Sequence, residues 1–194
     1  MTKDDFKVDL LSLDEHYIVS KWVTERIPHI FNGNIEEYMK WKITLSHLLE
    51  IDSKEIIFTG SSCLGFSMNP NKNFKDFDQK SDVDIAIISH YHFDMSWFTL
   101  RHLGTKFYDL NYVEKASLDD HKNRLIYWGT IATDKILQLL PFSKQWMEAV
   151  SKLQNLMPID GKEINFRIYN DFDSFKSYNI NTIRKLKDIV LQGM

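Results

Sequence analysis

Two short runs of β-branched and aromatic residues, 55–59 (EIIFT) and 82–88 (DVDIAII), interrupt a chain that is otherwise patterned for helices. Each run is too short for a helix of ordinary length and reads as a buried strand. A strand has to pair with another, so the chain must build at least a small sheet. The polar residues 67–81 (SMNPNKNFKDFDQKS) lie between the two runs and read as a loop or flap. Around them, apolar residues recur at helical spacing over 14–31 (Tyr17, Ile18, Trp22, Val23, Ile27, Ile30) and over 35–51 (Tyr38, Trp41, Ile43, Leu45, Leu48, Leu49). Asn34 is a natural N-cap for the second of these, with Glu37 three residues on. Further helices are predicted over 91–103, 117–140, 143–156 and 171–191, and Pro141 stops the longest of the first three. A third strand is predicted over 163–169, where apolar and polar residues alternate, and 106–113 is a weaker candidate for a fourth. Residues 1–13 read as an arm or short edge element. The expectation is an α+β fold: a small mixed sheet flanked by many helices. One domain spans 1–194, with N-terminal helices at about 14–51 and further helices toward the C-terminus.

Composition narrows what such a fold can do. The 194 residues are 43% apolar, enough for a sizeable core. The net charge of -3 argues against a protein whose main task is to hold long nucleic acid. Cys63 is the single cysteine, so no intrachain disulfide can form, as expected in a reducing compartment. The first residues lack an apolar signal core, and no run reaches the roughly 18 apolar residues of a membrane span. The expected location is cytoplasmic, away from the membrane. The seven histidines show little metal-site spacing, and Cys63 is expected to pack rather than react.

The chemistry gathers around the first two strands. Asp82 and Asp84 are two residues apart on the second run, so alternation points both side chains to one face. Two nearby carboxylates repel unless a cation lies between them. Mg²⁺ takes oxygen ligands, commonly one or two carboxylates together with substrate phosphates. The first run ends in Gly60-Ser61-Ser62, where glycine permits a sharp turn and a close approach to a ligand. The Ser61 hydroxyl and the free backbone N–H groups of the turn suit phosphate.

The stretch IIFTGSSCLGF followed by SDVDIAIIS resembles the hallmark of the DNA polymerase β-like nucleotidyltransferase superfamily. That hallmark is a hydrophobic strand, Gly-Ser, a gap, then two aspartates alternating with hydrophobic residues. The superfamily includes minimal nucleotidyltransferases, antibiotic adenylyltransferases, CCA-adding enzymes and oligonucleotide cyclases. The resemblance covers residues 55–89, and the gap here is longer than in the minimal proteins. It implies that Gly60 and Ser61, with Ser62 beside them, hold the phosphates of an NTP. It implies that Asp82 and Asp84 bind Mg²⁺ or Mn²⁺.

Active members of that superfamily usually carry a third carboxylate between hydrophobic residues on a later strand. In the third predicted strand that position is Asn165, a neutral residue. Glu163 on the same face is one alternation away, Asp109 is a further candidate if 106–113 is a strand, and a site that binds without turnover is the third possibility. Arg167, also on the polar face, is a candidate to pair with Asp84 or a phosphate. The expected activity is Mg²⁺-dependent transfer of an NMP from an NTP to an acceptor hydroxyl on a protein, an RNA end, a small molecule or a nucleotide. The alternative is a nucleotide sensor or antitoxin-like partner protein with a degenerate site. Oligomeric state is left open.

Overall fold

The computed structural model describes residues 2–159 and 161–192. In chain order its main elements are α1 (Lys3–Ser12), α2 (Glu15–Val19), α3 (Ile35–Leu49), β1 (Ile56–Thr59), α4 (Gly60–Leu64) and β2 (Val83–Ile88). They are followed by α5 (His90–Arg101), α6 (Lys106–Asp109), α7 (Tyr112–Asp120), β3 (Thr130–Ala132), α8 (Ser143–Leu153), β4 (Ile164–Tyr169) and α9 (Phe172–Gln192).

Four expectations need correction. The segment read as an arm is helix α1, although Met1 lies outside the described residues. The Thr2 hydroxyl accepts from the Asp5 N–H, and the Asp5 carboxylate accepts from the Thr2 N–H. Phe6 and Leu10, one turn apart, are fully buried and hold the helix down. The segment 106–113 is not a strand but α6 and the start of α7, with Tyr108 and Tyr112 turned out to water, 78% and 86% exposed. Residues 117–140 are not one helix. Past α7 the chain widens into a π-turn (His121–Leu125), tightens through a 3₁₀ turn (Ile126–Trp128), reverses at Gly129 and enters β3. The first predicted helix is also shorter than expected: α2 runs into a π-turn at Ser20–Thr24 and stops before Pro28. Helix α3 has the predicted cap, with Asn34 Oδ1 accepting from the Glu37 N–H at 3.2 Å.

Among the described residues, four strands form one mixed sheet in the order β1-β2-β4-β3. β1 and β2 are antiparallel, β2 and β4 parallel, and β3 and β4 antiparallel. Alternation sorts their side chains. Phe58, Ile85, Phe166 and Ile131 join the core beneath α3 and α8, where Trp41, Leu45, Trp146 and Leu153 close over them. The opposite face packs Ile57, Ala86, Ile88 and Tyr169 against Phe6, Ile18, Trp22, Phe175 and Ile183 from the N-terminal helices and α9. This second face is apolar at one end only. At its other end the inter-strand rows carry Thr59, Asp84, Asn165 and Arg167.

The flap 67–81 is pinned to α1 and to the end of α4. Its backbone closes through Ser67 N–H to Lys75 O and Phe77 N–H to Gly65 O. Phe74 enters the core beside Phe6 and Phe66. Lys3 of α1 pairs with Asp76 at 2.6 Å. Thus the N-terminal helix supports the flap from below and at its side.

Candidate functional site

The Gly-Ser turn and the aspartate pair meet because β1 and β2 are antiparallel neighbours. Thr59, the last residue of β1, pairs with Asp84, so the turn at Gly60 comes directly beside the Asp84 side chain. Gly60 has φ +60°, a backbone conformation that side chains disfavour. A Cβ built there would overlap Asp84 Oδ2, so any larger residue would push against the carboxylate. This is the closest coupling between the two halves of the sequence motif. Ser61, Asp82 and Asp84 line one cavity of about 80 Å³, roofed by the flap. Ser62 does not share that exposure. It is buried, and its hydroxyl donates to Thr59 O at 3.0 Å, so the side chain serves the turn itself.

Asp84 is in an unusual electrostatic state. Burial pushes its carboxyl from the ordinary 3.8 up to about 6. Arg167 and Lys72 pull against that rise, whereas Asp82 and Asp134 add to it. Among the described residues no cation lies within ion-pair distance of Asp84. Arg167 instead donates from Nη1 to the Tyr178 hydroxyl at 2.8 Å and lies over the Tyr178 ring at 5.1 Å. It is held at the back of the site by α9, charged but not locked to the carboxylate.

The structure separates the third-acid candidates. Asn165 pairs with Asp84 across the parallel strands, so a neutral amide occupies the row next to that aspartate. Glu163 is exposed and sits just before β4, where its carbonyl accepts from the Val83 N–H at 2.8 Å. Continuing the register by one residue brings it level with Asp82 instead. Asp109 lies in α6, so the strand on which its candidacy depended does not exist.

One further acid lies near the site on a segment whose sequence predicts helix; it is exposed, is 3.7 Å from Lys135 and does not line the cavity. Asp134 follows β3. Ala132 pairs with Arg167, and the Thr133 N–H still donates to Phe166 O at 3.0 Å, so Asp134 leaves the sheet edge beside Asn165. Its charge is the smallest of the influences that raise the Asp84 carboxyl. The sequence signal for it is Gly129-Thr130-Ile131-Ala132, a turn glycine followed by a short strand-forming run.

Comparison of the chain with protein-family models, with curated proteins and with solved structures returned no match. Among the described residues no three His, Cys, Asp or Glu side chains gather into a metal cluster. Asp82 and Asp84 nevertheless suit Mg²⁺, which needs few protein ligands when phosphates supply the others. An acid whose ionisation is opposed by burial and by a second acid is a group that a hard cation would relieve. Cys63 does not take part. Burial pushes its thiol up to about 12, and its sulfur faces the Trp22 and Val23 carbonyls. No helix of the described residues is long and apolar enough to cross a membrane.

Proposed function

We propose that this chain has a nucleotidyltransferase-type sheet, binds a Mg²⁺–nucleoside triphosphate and transfers the NMP to an acceptor hydroxyl. The contact between Gly60 and the Asp84 carboxylate carries this reading. It unites a turn able to receive phosphate with a carboxylate able to receive a cation, as one ligand with both features requires. Asp82 and Asp84 would hold Mg²⁺ or Mn²⁺, which when bound neutralises phosphate charge and polarises the α-phosphate. Ser61 donates its hydroxyl to a phosphate oxygen, while Gly60 lets the backbone approach closely. Arg167 adds positive charge behind the site without competing for the carboxylates. In the reaction an acceptor oxygen bonds to the α-phosphorus, the bond to the β-phosphate oxygen breaks, and pyrophosphate leaves. The hydroxyl proton passes to a carboxylate of the site. Asp134, two residues past the end of β3, is the proposed acceptor, whereas Asn165 cannot act as a base.

A second reading is favoured by one observation. With Asn165 paired to Asp84, the site matches a nucleotide sensor or antitoxin-like partner that binds without turnover. The two readings separate in one assay. Purified protein is incubated with each labelled NTP and Mg²⁺ or Mn²⁺, with candidate protein, RNA-end and small-molecule acceptors, and pyrophosphate is measured beside calorimetric binding. Transfer predicts pyrophosphate release that disappears in Asp82→Ala/Asp84→Ala. Saturable binding without pyrophosphate supports the sensor, and no binding of any NTP refutes both.

A further inference from the structure

The cavity at Asp84 has an unusual wall. Three serines, three lysines and three aspartates line it, with no aromatic ring and no aliphatic side chain. A nucleobase needs a flat apolar surface or a stacking ring to gain much from binding. This cavity offers charge and hydrogen bonds instead, which suits a polyphosphate. The three lysines, Lys72, Lys75 and Lys80, all come from the flap, and the Ser61 hydroxyl faces them from the Gly-Ser turn.

The flap presents these lysines on a braced backbone. Phe74 is buried between Lys72 and Lys75, and Asn73 and Phe74 both adopt positive φ to make the bend. On the other side, Asp78 ties the second turn together. Its carboxylate accepts from the Lys80 N–H at 2.9 Å and from the Ser81 hydroxyl at 2.9 Å, and it pairs with Lys75 at 3.0 Å. Lys162, just before β4, donates to Asp78 O at 2.8 Å and covers the Phe77 ring. Lys75 is thus partly satisfied within the flap. Among the described residues Lys72 and Lys80 have no ion-pair partner, although both line the cavity.

We propose that the flap 67–81 is a polyphosphate cradle, in which Lys72 and Lys80 bind the β- and γ-phosphates of the ligand and the tail rather than the base supplies most of the affinity. The inference deepens the nucleotide reading of the same cavity and rests on it. Its consequence is that inorganic tripolyphosphate with Mg²⁺ occupies the site, while a nucleoside monophosphate binds weakly. A flexible lysine meets phosphate as a point charge, and removing one such charge-assisted contact weakens binding about tenfold.

The test is calorimetric titration of the full chain, with Mg²⁺ present, by tripolyphosphate, ATP and AMP. Wild type is compared with Lys72→Ala/Lys80→Ala and with Lys152→Ala, a lysine on α8 across the sheet. Both flap lysines are exposed, so the double variant is expected to melt like wild type, which thermal unfolding checks. The expected result is tripolyphosphate binding that displaces ATP, AMP binding weaker by about 100-fold or more, and an approximately 100-fold drop in affinity for both polyphosphates in the double variant only. If ATP binds but tripolyphosphate does not compete, or if the double variant binds like wild type, the cradle is wrong and the nucleotide reading survives. If tripolyphosphate binds and ATP does not, the cradle stands and the nucleotide reading falls. If neither binds, both are overturned.

Discussion

Replacing Asp84 by Asn should make this protein more stable at neutral pH. The Asp84 carboxyl is raised from 3.8 to about 6, so ionising it costs more in the folded chain than in the unfolded one. That displacement corresponds to about 3 kcal/mol. The attraction of Arg167 and Lys72 is already included in the net shift, so the neutral amide does not forfeit it a second time. The sign with pH follows from a raised acid. The penalty is absent below about pH 3.8, grows as pH rises through that value, and is complete above about pH 6. At pH 5 roughly half of it remains. For a chain of this size each kcal/mol moves Tm by about 2–4 °C, so Asp84→Asn should melt up to about 10 °C above wild type at pH 8. The gain should shrink at pH 5 and vanish near pH 3.5. Thermal unfolding by circular dichroism over pH 3.5–8 measures this. Mg²⁺ with tripolyphosphate should raise the wild-type Tm at pH 8 and leave the variant much less affected, because only wild type gains a cation at a strained carboxylate. An unchanged or lower Tm at pH 8 would show that the carboxylate is satisfied in the fold, and the argument that it awaits a cation would fail.

Gly60→Ala should weaken metal-dependent ATP binding about tenfold or more by calorimetry and cost about 1–2 kcal/mol in urea unfolding, because the new methyl meets both positive φ and Asp84. Phe6→Ala should cost about 3–5 kcal/mol in urea unfolding, since the ring is fully buried against Trp22, Phe66 and Phe74; a cost below about 1 kcal/mol would return α1 to the status of an arm. His121 is buried, donates from Nδ1 to Ser117 O at 2.6 Å and accepts at Nε2 from the Ala132 N–H at 3.0 Å, so it must stay neutral. Its pKa is lowered by burial below 6.5, and the stability it lends is therefore lost as pH falls below that value. In the Asp84→Asn background, where the opposing carboxylate is gone, Tm should fall between pH 7 and 5, and His121→Gln should flatten that slope. In the transfer assay, Asp134→Asn should lower kcat about 100-fold or more with little change in ATP affinity, whereas Glu163→Gln should leave kcat within about threefold.

The meeting of the Gly-Ser turn with the aspartate pair is more legible in the sequence than the helices around it. Gly60 and Asp84 belong to a local pattern in which each residue type has a chemical reason to be present, and the pairing of β1 with β2 needs only two apolar runs. Helix α1 is harder to read although its signals are present: Thr2 and Asp5 form the cap, and Phe6 and Leu10 share a face. Ten residues with several charges carry little overall apolar pattern, so two buried side chains do not stand out. The segment 106–113 misleads in the opposite direction. Its Phe, Tyr and Val residues favour strands, but no neighbouring strand pairs with them, and tyrosines left in water do not make a sheet.

Sequence alone determined that a strand at 56–59 would end in a Gly-Ser turn and that an Asp-x-Asp pair would open the strand at 83–88, because turn chemistry and alternation act within a few residues. Tertiary structure alone decided which groups face that pair. The parallel pairing of β4 sets Asn165 beside Asp84, the three-residue edge strand β3 brings Asp134 to the neighbouring sheet edge, and α9 holds Arg167 back through Tyr178. It also folded the flap lysines over the cavity, by burying Phe74 against α1. These are contacts between residues far apart in the chain. They follow from which strands pair and which rings pack, and no local propensity encodes them.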